Sequence, residues 1–556
     1  MSGSVAAPHA PVKWRDLPHR TQLIVITLAR LSEPLSYMFY QLKWFDPSLP
    51  DSTISAQAGI LHASFTAAQF LTAMLWGRIA DSAHAGRKTV LLIGLLGTCA
   101  SCIGFGFART FPQALAFRLL GGVTNGNVGV MRTMIGEIVR DKRFQPRAFL
   151  LLPMCFNIGV IVGPVLGGLL ADPARSWPAV FGGLCFFETF PYATPNLLSG
   201  AFLLSSALLV WFFLDETLDT LRDQPPDVGI RIGQAIRRFV VRLYHRWRPE
   251  AGYAALPTED DDEDLTTDVD EELATDGPLS TLPKNSSGAS SSDTPSSLPP
   301  ARPQRTRYTQ RLAFRRIFTP NVLCVLASNF ILALHVGTFN PLWVIFLSTP
   351  VYDPSVPNHG LPTGPHLPVR FTGGLGLTPK DVGFAMGVIG MLGLPLQLLV
   401  YAPLSDRVGP LRALRGAVLC FPLAYLLIPY LAVIPSTSSA PHAKTGVAVW
   451  MGIVGVLVVQ VLGRTFGLPS QTVLVNSCSP HPSVLGTIHG LGQSVSSGAR
   501  TVGPMLAGWI YGVGLNHGMV GLVWWCLCIV AIGGVVATWF VREGDGHEIW
   551  LEGDEE

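Results

Sequence analysis

Apolar runs of roughly 20 residues recur along the whole chain, each long enough to cross about 30 Å of hydrocarbon as a helix. In lipid every backbone N–H and C=O must be satisfied inside the chain, so such runs fold as helices packed in a bundle. Composition agrees, because 49% of the 556 residues are hydrophobic and only 14% are charged. A soluble chain carries about a quarter charged residues. About twelve spans can be drawn. Six precede a polar middle (near 21–43, 56–80, 89–108, 111–137, 147–171 and 197–214), and six follow it (near 320–348, 382–402, 411–434, 446–467, 484–512 and 519–541). The chain is therefore an all-α integral membrane protein. Its first 20 residues have no apolar core, so no cleavable leader is expected.

Orientation follows from the loops. About 28 of the 39 Lys and Arg residues fall on the side of the N-terminus, which makes that side, with both termini and the central segment, cytoplasmic. The rule reads alike for a plasma membrane and a vacuolar one. The expected organisation is an N-terminal tail (1–20), a six-helix bundle (21–214), a cytoplasmic linker (215–319), a second six-helix bundle (320–541) and an acidic tail (542–556). In the linker, residues 228–248 put Ile232, Ile236, Phe239, Leu243 and Trp247 on one helical stripe, with Arg231, Arg238, Arg242 and Arg246 largely opposite. That pattern suits a helix lying on an anionic leaflet, with a plain basic linker as the alternative. An acidic and then Ser/Pro-rich stretch to about 306 cannot bury enough apolar surface to fold.

Residues 156–172 read FNIGVIVGPVLGGLLAD, an apolar segment broken by glycines and a proline. Lipid is as apolar as leucine, so membrane helices associate where small residues let backbones approach. Gly159, Gly163, Gly167 and Gly168, with Pro164 as a kink, predict a close helix crossing inside the bundle. Residues 498–508 (GARTVGPMLAG) repeat the idea around Gly503 and Pro504 in the fifth span of the second half. The second span of each half is followed by a short charged loop, GRIADSAHAGRK at 77–88 and PLSDRVGPLR at 403–412. Equal signals at equal places indicate an internal repeat, the design of transporters with a site between two halves.

These motifs resemble the major facilitator superfamily, in its twelve-helix drug:proton antiporter group. The fungal branch, which is similar to the plant zinc-induced-facilitator-like proteins, is the best match. The resemblance rests on GRIADSAHAGRK, LAFRLLGGVTNGNVGV, NIGVIVGPVLGG and GGLGLTPKDVGFAMG in that order. It implies two pseudo-symmetric six-helix bundles. It also implies a gate motif at Gly77, Arg78, Asp81, Gly86, Arg87 and Lys88, in which Gly77 allows close packing and Asp81 meets a helix end or an arginine. The second loop offers Asp406, Arg407 and Gly409. Ser82 stands where the family has a basic residue, and two extra residues precede Gly86. The motif of the fifth span implies export by antiport.

Charges inside the membrane need a partner or a purpose. Arg30 and Glu33 share a helix face: either they form a structural pair, or Glu33 is the protonatable carboxylate tuned by Arg30. Arg118, Asn125 and Arg132 recur at seven-residue spacing. By the resemblance Arg118 takes part in proton transfer, and as a permanent cation it would act on a neighbour's pKa or on an anion. A structural tie is the alternative for it. His489, Gln493 and Arg500 line a polar stripe that also includes Ser496, and His335 and Asn340 add polar groups from the same half. A lone buried histidine is more often a satisfied donor than a site. The nine cysteines, Cys99 and Cys102 included, read as small buried hydrophobes, so no metal site and no cofactor is expected. No phosphate loop or nucleophile–base pair suggests an enzyme, and nothing suggests a nucleic-acid partner. The expectation is a monomeric secondary transporter whose partners are a small-molecule substrate, protons and the lipid bilayer, with proton-coupled efflux as its activity. A sensor or scaffold of the same fold, or an importer or uniporter, is the alternative.

Overall fold

The computed structural model describes residues 17–31, 38–46, 48, 51–170, 172–176, 181, 183–222, 225, 227–247, 308, 310–353, 366–439, 442–552 and 554. Apart from two isolated bridges, the regular structure among them is helical. The first half holds α1 (Arg20–Leu31), α2 (Met38–Phe45), α3 (Asp51–Ala80), α4 (Gly86–Phe107), α5 (Phe111–Thr124), α6 (Asn127–Ile138), α7 (Gln145–Leu170) and α8 (Ala193–Phe213). After α9 (Val228–Trp247) come α10 (Pro320–Ser348), α11 (Pro379–Pro395), a π-helical turn (Leu396–Tyr401) and α12 (Ala402–Val408). Then follow α13 (Pro410–Val418), α14 (Cys420–Leu427), α15 (Val447–Ser477), α16 (Leu485–Asn516) and α17 (Leu522–Phe540).

Seven helical spans among the described residues are long and apolar enough to cross a membrane by themselves. The other expected spans depart for local reasons. α3 and α16 are 30 and 32 residues long but carry the polar side chains that join the halves. The fourth span is broken between α5 and α6, where Asn125 leaves helical geometry at φ −83° and ψ 79°. α7 holds the glycine motif, and the side chains from 160 to 169 lie outside the described residues.

Contacts divide the chain into one unit of Met1–Ile232 with Thr306–Glu556 and another of Gly233–Arg305, into which α9 runs. Within the first unit, one apolar core is drawn from residues 312–541. A second is drawn from 17–214 together with Val473. The α9 helix carries Ile232, Ile236, Phe239 and Leu243 exposed along one stripe, as its sequence pattern requires.

Candidate functional site

The most extensive helix contact joins the halves, α3 running against α16. Close approach starts from glycine. A Cβ on Gly77 would strike the Gly486 carbonyl and lie 3.0 Å from the Gly490 Cα, so neither helix tolerates a side chain there. One turn on, Asp81 crosses from the first half to cap α16. Its carboxylate accepts the Gly486 N–H at 2.9 Å, the Thr487 N–H at 2.6 Å and the Thr487 hydroxyl. These are orphan donors at the positive end of a helix dipole, where an anion is held best. Arg87 pairs with Asp81 at 2.6 Å and with Glu137 at 2.7 Å, its side chain fully buried. The loop is held in turn: the Glu216 carboxylate accepts the Arg87 and Lys88 N–H groups at 2.9 Å each, and Lys88 meets Asp227 at 2.7 Å. Gly86 sits at φ +73°, open to glycine at no steric cost. Arg78 lies over the Phe314 ring at 4.7 Å.

The second loop repeats the arrangement. Asp406 at the end of α12 pairs with Arg147 at the start of α7, at 2.8 Å. Leu150 of α7 packs beside it with Tyr401, Ala417 and Phe466. Gly409, at φ +85°, occupies the turn that Gly86 occupies in the first loop, and Arg407 is exposed. Lys142 and Asp545 form an outer pair across the halves at 2.6 Å. All these contacts lie on the face that carries the C-terminal tail.

From this face a polar ladder climbs into the bundle. Ser494 Oγ accepts the Met74 N–H at 3.0 Å. Gln69 Oε1 accepts from Gln493 at 3.1 Å and from Ser497 at 2.7 Å, while its Nε2 donates to the Asn125 carbonyl at 3.1 Å. Trp76 Nε1 donates to Val123 O at 2.7 Å. Carbonyls freed by the break in the fourth span are therefore satisfied by α3, as a helix interrupted at membrane depth requires. The ladder ends where Thr501 donates to Thr66 at 2.7 Å. Farther along α16, Gly508 lies among the exposed Met505, Leu506 and Trp509, on the side of the helix turned away from the bundle.

Arg500 donates weakly to Ser496 O and Ser497 Oγ at 3.4 Å each, with its stem against Gly337 of α10. Side chains lean toward a helix's N-terminus, and α6 and α16 run antiparallel, so Arg132 and Arg500 lean toward each other. Their charges, with that of Arg30, act on one another. Arg118 instead lies over the Phe65 and Phe105 rings, at 5.9 and 5.1 Å. Glu33 lies outside the described residues, as do the side chains of Gly163, Pro164, Gly167 and Gly168.

Three expectations are placed differently by the structure. His335 is 1% exposed inside the second half, bonded to the Tyr425 hydroxyl at 3.0 Å and packed on Phe421 at 4.6 Å, so it belongs to an aromatic core rather than a cleft. His489 is fully buried between the halves, with Nε2 on Asn476 Oδ1 at 3.2 Å. A Cβ on Gly159 would meet nothing within 4 Å, so Gly159 makes no close crossing, whereas a Cβ on Gly503 would strike Thr338 of α10. Asn340 Oδ1 is buried without a hydrogen-bond partner, immediately before Pro341. Sequence reasoning missed Gln69, Trp76 and Arg147, whose partners are remote in the chain.

The sequence profile described as Major Facilitator Superfamily matches residues 35–434. The chain belongs to the major facilitator superfamily. This facilitator is 31% identical over 551 residues to the "Major facilitator superfamily multidrug transporter mfsB" of Aspergillus fumigatus, covering 96% of this chain and 85% of that one. It is 33% identical over 196 residues to "Protein ZINC INDUCED FACILITATOR 1" of Arabidopsis thaliana, covering 35% of this chain and 40% of that one. The solved human organic anion transporter MFSD10 shares its fold at a TM-score of 0.56 and 17% identity, with 94% and 99% of the two chains covered. The facilitator is thus a multi-pass membrane transporter, not an enzyme, built of twelve spans in two pseudo-symmetric bundles.

Proposed function

We propose that this facilitator is a proton-coupled exporter of small organic molecules, with organic anions prominent among them, working by alternating access. The latched tail face is the cytoplasmic one, and the termini lie there. One observation carries the reading: hydrogen bonds between the halves run from Thr66–Thr501 to the Asp81 and Asp406 latches, gathered toward the face that carries the tail. A bundle latched between its halves at one end is what one state of a rocking cycle requires. The fifth-span motif and the multidrug relative support export.

The anion preference draws on the interior charges. Five arginines (Arg30, Arg118, Arg132, Arg464 and Arg500) stand within the spans, against the carboxylates Glu33 and Glu137. Glu137 is committed to Arg87. Among the described residues, no carboxylate pairs with Arg132, Arg464 or Arg500. Buried cations without counter-charge are costly, and a bound anion offsets that cost. Glu33 is the carboxylate assigned to proton exchange.

The test uses sealed proteoliposomes with an imposed pH gradient and a panel of fluorescent anionic, neutral and cationic compounds. Gradient-driven movement of anions is expected, lost in Glu33→Gln. In Arg500→Gln, losing one charged hydrogen bond of about 1.5–3 kcal/mol should weaken anion transport roughly 10- to 100-fold. No gradient-dependent movement of any compound, or Glu33→Gln behaving as the parent, would remove the coupling. Equal handling of cations by Arg500→Gln and the parent, with anions untouched, would remove the anion preference alone.

A further inference from the structure

The C-terminal tail folds back beneath the second half. The Gly546 N–H donates to Ser477 O at 3.0 Å and the Ile549 N–H to Pro480 O at 2.9 Å. This seats the tail on the loop between α15 and α16. His481 of that loop and His547 of the tail both point a ring nitrogen at one carboxylate oxygen, Asp554 Oδ2. The distances are 2.9 Å for His481 Nε2 and 3.1 Å for His547 Nε2. The three ligand atoms lie within 4.8 Å of one another. The side chains of His481 and Asp554 are fully buried and that of His547 nearly so.

Two further observations point to a ligand. Asp554 Oδ2 also accepts the Leu551 N–H at 2.7 Å, yet Oδ1 is buried with no hydrogen-bond partner. Buried carboxylate oxygens rarely go unsatisfied. The outer shell is also in place. Ser483 Oγ stands 2.7 Å from His481 Nδ1 and accepts the Leu312 N–H at 3.1 Å. The Ser483 N–H donates to Nδ1 at 3.2 Å, which fixes the ring and puts its proton on Nε2 facing Asp554, so a metal bound at Nε2 displaces that proton. Trp550 stacks on His547 at 3.9 Å and Tyr308 meets His481 edge-on at 5.5 Å, fixing both rings.

We infer that His481, His547 and Asp554 form a binding site for one divalent transition-metal ion of the zinc type. Two imidazole nitrogens and a carboxylate are a borderline-soft set that suits zinc rather than magnesium or calcium. Zinc bonds of about 2.0–2.2 Å at tetrahedral angles put ligand atoms about 3.3–3.5 Å apart, a few tenths of an ångström beyond the two histidine–carboxylate spacings and inside the 4.8 Å that encloses all three atoms. The bound ion staples the tail to the loop that leads directly into α16, whose first turn Asp81 caps from the other half. It would therefore add to the closed tail face.

The experiment uses the full-length, tag-free protein in nanodiscs, stripped by chelator and then titrated with zinc in a calorimeter and with cobalt by its visible absorption. One ion per chain is expected, with a rise in melting temperature on zinc addition. Affinity should fall roughly 10- to 100-fold in Asp554→Asn and in His547→Ala, whose side chain sits at the edge of the cluster. Unchanged affinity in both variants, or no saturable binding at millimolar zinc, overturns the proposal. Loss of stability in both variants with the parent indifferent to zinc overturns it as well, leaving a purely hydrogen-bonded staple. None of these readings depends on transport.

Discussion

Asp81 does two things that its sequence position suggests separately: it caps a helix and it meets an arginine. Capping α16 across the halves makes its removal a conformational event. Breaking a buried pair costs about 3–5 kcal/mol. Asp81→Asn should therefore shift the closed tail face toward opening. The shift is readable as a longer spin-label distance between Lys142→Cys and Asp545→Cys, an exposed pair now joined across the halves. Among the described residues Cys185 is the exposed native cysteine and would be replaced first. An unchanged distance distribution would dissociate the latch from closure. Gly77→Ala attacks the same contact sterically, since its methyl would strike the Gly486 carbonyl. It should open the face without touching a charge.

At the scale of elements, the break between α5 and α6 sits where Gln69 and Trp76 collect the freed carbonyls. Gln69→Leu leaves the Asn125 carbonyl, Gln493 and Ser497 short of a partner. It should cost about 1–3 kcal/mol per orphaned group, seen as a lower melting temperature. Unaltered melting would mean that water replaces the amide. The basic helix α9 permits an independent check. Replacing Arg231, Arg238 and Arg242 by Gln should weaken attachment to anionic bilayers by about 1 kcal/mol per residue. An environment-sensitive dye at Val240→Cys would report it, and equal signals in neutral and anionic nanodiscs would place the helix off the leaflet. The glycine motifs diverge for a reason at this scale. Gly503 stays within its own half against α10, whereas Gly159 lies on α7, where a Cβ would meet nothing within 4 Å.

Over the whole molecule, the two latches are pseudo-symmetric. The loop after the second span reaches α16, and the loop after the eighth reaches α7. Rocking must break both together, so either single variant should open the face partially. Asp81→Asn with Asp406→Asn should then shift the label distances less than additively, the mark of one shared transition. Strict additivity would point to two independent gates.

The twelve-span, two-halved architecture was legible in the chain because lipid leaves apolar segments no choice but helix, and because duplicated loops carry the same signals at the same places. The gate loop was read from its likeness to the family's motif, and the polar stripe on α16 from polar residues recurring along an apolar run. Partnership was not. That His335 closes an aromatic core, that Gln69 ties the broken helix to α16, and that Arg147 meets Asp406 depend on contacts between residues 56 to 428 positions apart. Local patterning decides which faces must be buried. Only packing decides which buried groups face each other, because burial is set by one helix and an ion pair by two.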